Sequence, residues 1–173
     1  MTGWTEKEIE DKQLMAPCGL YCGVCGVYIA TRDKNDKFKK ALGNLYGTPP
    51  EKTECLGCMQ PDPPEKLYSY CQLCDIRSCV LSKNYYSCHQ CEQWPCQTIE
   101  SFGLKTGLDV MKRTIPIWRE CVSKEGDENG SMAWARSECK RYHCSSCGSP
   151  LFRGAQKCRN CNHVVADELD GSL

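Results

Sequence analysis

Seventeen cysteines in 173 residues constrain this chain more than any other feature. Six C-x-x-C pairs stand at 22/25, 55/58, 71/74, 88/91, 144/147 and 158/161. Two cross-link chemistries fit so much sulfur. Disulfides belong to secreted chains, but the opening MTGWTEKEIEDKQL is charged and has no apolar run of the secretory kind. The cysteine count is also odd. Thiolate–metal bonds in a reducing compartment fit better, because C-x-x-C places two sulfurs on one ion. The sequence therefore predicts a cytoplasmic metal protein. Leu, Ile, Val and Phe make up only about 17% of the chain, below the roughly 20% at which an apolar core becomes hard to build. Acids and bases balance at 22 each, so the composition is not that of a disordered chain. No apolar run approaches 18 residues, so no membrane span is expected.

Three segments are expected: a Cys-rich metal-binding part over 1–103, a helical linker or helix pair over 104–138, and a ribbon over 139–173. The first 15 residues read as a short helix or loose arm. GVYIATRDKNDKFKKALGNLYG (26–47) reads as one helix or two, with Phe38, Leu42 and Leu45 on one face. QPDPPEK (60–66) is a loop by composition. CQLCDIRSC (71–79) and CHQCEQWPC (88–96) repeat one pattern 17 residues apart. Each predicts a tight turn entering a helix, with Pro95 at the first helical position of the second. Met111, Ile115, Trp118 and Val122 share a helix face, and Pro116 is expected to start or kink that helix. KEGDENGS (124–131) reads as a turn, with Ser131 capping a second helix that carries Met132, Ala135, Cys139 and Tyr142. The polar tail ADELDGSL (166–173) is expected to fray.

Cys144, Cys147, Cys158 and Cys161 form C-x2-C-x10-C-x2-C, with Gly148 after the first pair. Four thiolates suit a tetrahedral zinc with no open position, hence a structural ion. Two knuckles joined by short strands make a zinc ribbon, a module too small to fold without its metal. The fold class expected is thus a small metal-stabilised one, mainly α with irregular Cys-rich knuckles, plus a C-terminal β zinc ribbon.

Eleven cysteines lie upstream: Cys18, Cys22, Cys25, Cys55, Cys58, Cys71, Cys74, Cys79, Cys88, Cys91 and Cys96. The C-x3-C-x2-C start matches the iron–sulfur spacing of radical S-adenosylmethionine enzymes, but only about 115 residues follow before the ribbon and no βα pattern is present, so that reading is rejected. Two four-thiolate sites would use eight of the 11, and a third would need a twelfth ligand, from Cys121 or His89 for instance. Cys121 and Cys139 otherwise read as buried free thiols. Zinc is the commoner structural metal, and two to four ions are expected, one in the ribbon. An iron–sulfur cluster within 18–96 stays open.

APCGLYCGVCGVYIAT (16–31), CLGC (55–58) and CDIRSCVLSKNYYSCHQCEQWPC (74–96), with a helix after them, resemble a bacterial and archaeal family known as domain of unknown function 3795. Many members also resemble this chain in a helical linker feeding a zinc ribbon. The resemblance implies metal-binding roles for the cysteines at 18, 22, 25, 55, 58, 74, 79, 88, 91 and 96, and no reaction.

Each zinc with four thiolates adds about −2, so three sites would bring the chain to about −6. That disfavours a protein-wide field for nucleic acid. The ribbon is locally basic, and Arg141, Arg153, Lys157 and Arg159 offer a nucleic-acid surface. The leading expectation is a scaffold of structural zinc sites for an unknown protein partner or nucleic acid. The alternative is an iron–sulfur electron carrier or redox accessory. No catalytic constellation is legible and no catalytic residue is assigned, so the sequence favours a non-enzyme. A thiol redox enzyme would need a thioredoxin-like βαβ context that is not visible.

Overall fold

The computed structural model describes residues 3–165 and 169–170. Its helices run in the order α1 (Glu6–Glu10), α2 (Gly26–Arg32), α3 (Asp36–Tyr46), α4 (Ser69–Gln72), α5 (Asp75–Ser82), α6 (Gln97–Glu100), α7 (Lys105–Glu125) and α8 (Asp127–Arg141). Single 3-10 turns at Lys12–Leu14, Cys22–Val24, Pro50–Lys52 and Cys88–Gln90 lie between them. No helix among the described residues is long and apolar enough to cross a membrane.

α7 and α8 form an antiparallel pair joined by one residue, Gly126. The expected turn over 124–131 is therefore wrong. α8 starts at Asp127 with Asp127 and Glu128 in its first turn, where acids suit the helix dipole. Ser131 is consequently a buried interior residue, and it accepts a 2.8 Å bond from Trp118 Nε1 rather than capping anything. Gly130 allows the close approach: a Cβ there would stand 2.5 Å from the Val122 backbone. Met111, Ile115, Trp118, Trp134, Ala135 and Tyr142 are fully buried along the seam. Pro116 does not start α7, which runs on through it from Lys105 to Glu125. Pro116 is exposed, so water can satisfy the carbonyl it leaves unbonded.

An aromatic column threads this pair. Trp118 and Trp134 stack, Tyr21 meets the far edge of Trp134, and His89 stacks on Trp118 with Tyr86 against it. Glu138, 2% exposed, takes a two-pronged bond from Arg113 at 2.7 and 3.1 Å, which ties α7 to α8 in place of apolar burial. α1 begins with a Thr5–Glu8 capping box, and Glu8 also holds Arg32 and the Tyr28 hydroxyl. On α3, Phe38 and Leu42 are buried, but Leu45 is 58% exposed.

The C-terminal β ribbon is overturned. Among the described residues the chain is mainly helical with no strand, and pairing near the C-terminus is limited to isolated bridges His143–Pro150 and Lys157–Val164. The link between the knuckles turns inward instead of laddering. Leu151 and Ala155 are buried, Phe152 packs edge-on to Phe38, and Arg153 N donates to Val24 O at 2.7 Å. Pro95 also departs from expectation: α6 is capped by Cys96, and Pro95 precedes it after a cis Trp94–Pro95 bond. Of the tail expected to fray, residues 166–168 and 171–173 lie outside the described residues. Asp170 is held by Arg113, Arg141 and Tyr142.

Candidate metal centres

The C-terminal four cysteines converge. Sγ atoms of Cys144, Cys147, Cys158 and Cys161 all lie within 4.8 Å of one another, the one such group of His, Cys, Asp or Glu ligand atoms among the described residues. Cys144–Cys161 and Cys147–Cys158 are each 3.6 Å apart. Sulfurs about 2.3 Å from a tetrahedral ion stand about 3.8 Å apart, so this set fits one ion. The spacing is far from the roughly 2.05 Å of a disulfide.

Two matching turns build it. Cys144 N donates to Ser149 O and Gly148 N to Cys144 O, both at 2.8 Å. Cys158 N donates to His163 O at 2.8 Å and Asn162 N to Cys158 O at 2.9 Å. Each turn closes on a left-handed residue, Gly148 (φ 70°) and Asn162 (φ 60°). Asn is the side chain that best tolerates this conformation after Gly, so C-x-x-C-N at 158–162 is the sequence counterpart of C-x-x-C-G at 144–148. Ser149 lies 3.3 Å and Asn160 Nδ2 3.6 Å from Cys147 Sγ. These contacts, with the Ser149 N–H, pull the Cys147 thiol down to about 5. Burial pushes its neighbour Cys144 up to about 11.

The upstream cysteines gather without closing to that distance. Around the first turn, Cys22 faces the Cys58 N–H, the Cys58 and Cys71 thiols are hydrogen-bonded, and the Cys55 sulfur faces the N–H groups of Tyr68 and Gly57. Cys25 stands beside them. Thr31 of α2 fixes the CLGC loop by accepting from Cys55 N at 3.0 Å. Cys18, Cys96, Cys91 and Cys79, in that order of strength, all lie close enough to Cys88 to add to the effect of burial on its thiol, and form a second group with it. Cys18 in turn senses Cys74 and Cys71, so it stands between the two groups. Backbone N–H groups facing sulfur are the donors a metal-bound thiolate uses. Burial pushes the free thiols the other way, Cys18 and Cys88 to about 12 and Cys55 to about 11.

Three helices begin on these sulfurs. Cys25, Cys74 and Cys96 are the N-cap residues of α2, α5 and α6. A thiolate is favoured at a helix N-terminus. The second group is strapped to the bundle by Arg119 of α7, which donates to His89 O at 3.0 Å and Cys91 O at 2.6 Å. Cys88 N and the Ser87 hydroxyl both donate to Pro17 O, joining the two groups. No motif marked Arg119 for this. Of the suggested twelfth ligands, His89 spends Nε2 on Asp127 at 3.0 Å inside the aromatic column, and Cys121 is half-buried on α7. Cys139 is buried against the Tyr21 hydroxyl, and burial pushes its thiol up to about 12.

The basic residues at 141–159 are placed as follows. Arg141 pairs with Asp170 at 3.2 Å, and Arg153 Nη2 donates to Tyr21 O at 2.8 Å. Arg159 lies 3.7 Å over the Phe38 ring, and Lys157 is exposed.

No curated protein and no solved structure matches the chain. A family model matches residues 14–101, from the turn before Cys18 through α6, and by it this chain belongs to the family described as protein of unknown function (DUF3795).

Proposed function

We propose that this chain is a multi-site metal-binding protein whose thiolate centres build a scaffold for contact with another protein. The observation that carries the reading is the C-terminal set of four sulfurs within 4.8 Å of one another. Closed four-thiolate ligation leaves no coordination position for chemistry, which favours structural zinc there. The upstream groups hold further ions, bringing the total to two to four. A protein partner is preferred to nucleic acid, because Asp170 already engages Arg141 and the Tyr21 carbonyl engages Arg153. Lys157 and Arg159 alone make a small phosphate footprint.

One observation also supports a second reading. Cys22, Cys25, Cys55, Cys58 and Cys71 form a group of five thiols, one more than a single zinc takes. Four of these five would equally hold an iron–sulfur cluster, which also takes four cysteines, in an electron-transfer or redox accessory role. Metal content and the visible spectrum of anaerobically purified full chain decide between them. Two to four zinc ions per chain and no colour support the scaffold. Iron with sulfide and absorption near 400 nm, bleached by dithionite, moves the reading to redox. A chain holding no metal overturns both.

A further inference from the structure

Arg153 sits in the link between the two C-terminal pairs, yet its side chain belongs to the other end of the protein. Its backbone N donates to Val24 O and its Nη2 to Tyr21 O at 2.8 Å, so it straddles the Cys22–Cys25 turn. Phe152 on Phe38, with Leu151 and Ala155 buried on either side, locks it there. Arg153 Nε is buried and has no hydrogen-bond partner among the described residues. No carboxylate lies within ion-pair distance of the guanidinium among those residues. Asp170 lines the same cavity of about 150 Å³, but Arg113 and Arg141 hold it at 3.3 and 3.2 Å. Cys25 lines that cavity too.

A guanidinium cannot shed its proton to escape burial. A largely desolvated charge needs an opposite one close by; Glu138 and Asp170 act on Arg153 only from beyond ion-pair distance, and the neutral thiols of a metal-free chain add nothing. A four-thiolate zinc carries about −2. The charge of Arg153 reaches the sulfurs of Cys25 and Cys18 and favours their thiolate forms.

We propose that Arg153 is the charge-compensating residue of the thiolate centre around Cys22 and Cys25, delivered to it by the C-terminal four-cysteine module. This rests on the metal reading above. It makes the two ends of the chain interdependent: the C-terminal ion shapes the link that carries the counter-charge of the N-terminal centre.

The full chain loaded with Cd2+ gives one 113Cd resonance per thiolate site, so chelator-driven release can be followed site by site. Arg153→Met should release the N-terminal ion at least about tenfold faster than wild type, because a buried charge that loses its partner is strongly destabilised. The C-terminal resonance should decay at its wild-type rate. Arg153→Lys, which keeps the charge, should stay within about threefold. Arg153→Gln keeps a donor for Tyr21 O without the charge, and should raise the pH midpoint of N-terminal release by about one unit. It serves as the second variant should Arg153→Met fold poorly. An unchanged release rate and an unchanged midpoint in the neutral variants overturn the role of Arg153 and leave the metal reading standing. A wild-type chain with no N-terminal cadmium resonance overturns the metal reading and this inference with it.

Discussion

Trp118 and Trp134 stack face to face, their ring centroids 3.8 Å apart and their planes 6° from parallel. Both are fully buried, one from each helix of the α7–α8 pair. They are the two largest fully buried side chains among the described residues. Trp118→Ala should lower stability by about 3–5 kcal/mol, and Trp118→Phe by markedly less. Denaturant melts of metal-loaded protein measure both. A Trp118→Ala loss under 1 kcal/mol would show that the seam holds without its aromatic column.

Gly130 inverts an ordinary rule. Gly→Ala inside a helix usually stabilises by about 1 kcal/mol. Here the added methyl would meet Val122 backbone at 2.5 Å, and backbone cannot swing aside. Gly130→Ala should destabilise by about 1–3 kcal/mol. Gly103→Ala, with nothing within 4 Å, should be near neutral. Equal melts for the two variants would contradict the tight helix crossing.

The Glu8 cluster sets an acid limit. Burial alone would raise the Glu8 pKa, but Arg32 at 2.9 Å and the Thr5 N–H and hydroxyl outweigh it, so the carboxyl sits below its ordinary value. A folded pKa below the unfolded one stabilises at neutral pH, and that contribution fades as pH falls from the unfolded value through the folded one. Glu8→Gln should cost about 1–2 kcal/mol at pH 7. The gap between wild type and variant should shrink below about pH 4, where the unfolded carboxyl takes up its proton. A gap that holds constant down to pH 3 would rule out the cluster as its source.

Thiol reactivity should be uneven once metal is removed. Cys147 is exposed and its thiol is pulled down to about 5, while burial holds Cys139 up at about 12. Brief alkylation of the metal-free chain at pH 6 should label Cys147 first and Cys139 last, because the thiolate is the nucleophile. Peptide mass mapping gives the order, and early labelling of Cys139 would contradict the packing at Tyr21.

Much of this was legible beforehand. C-x2-C-x10-C-x2-C announced four sulfurs on one ion, and the period of Met111, Ile115 and Trp118 announced the buried face of α7. The expected ribbon failed because the spacing of ligand pairs is silent about the link between them. Only packing decides that Leu151, Phe152 and Arg153 turn toward α3 and the Cys22–Cys25 turn. Ser131 misled because a hydroxyl before an apolar run reads as a cap, whereas its use here, receiving the Trp118 N–H, needs a partner 13 residues away. Arg119 was unreadable for the same reason: its ligands are backbone carbonyls 28 and 30 residues upstream.

The cysteines that open α2, α5 and α6 bear on how long an unloaded chain would survive. These helices have 7, 8 and 4 residues, well below the roughly 12–15 needed for a helix to persist alone in water. Without a metal holding their first residues, nothing local keeps them wound. A chain short of metal would then present loose, protease-accessible stretches over 75–82 and 97–100, while α2, with six of its seven residues buried, and the α7–α8 pair stay packed. On the metal reading proposed above, degradation would begin at those stretches, and the supply of metal would set how much of this protein accumulates.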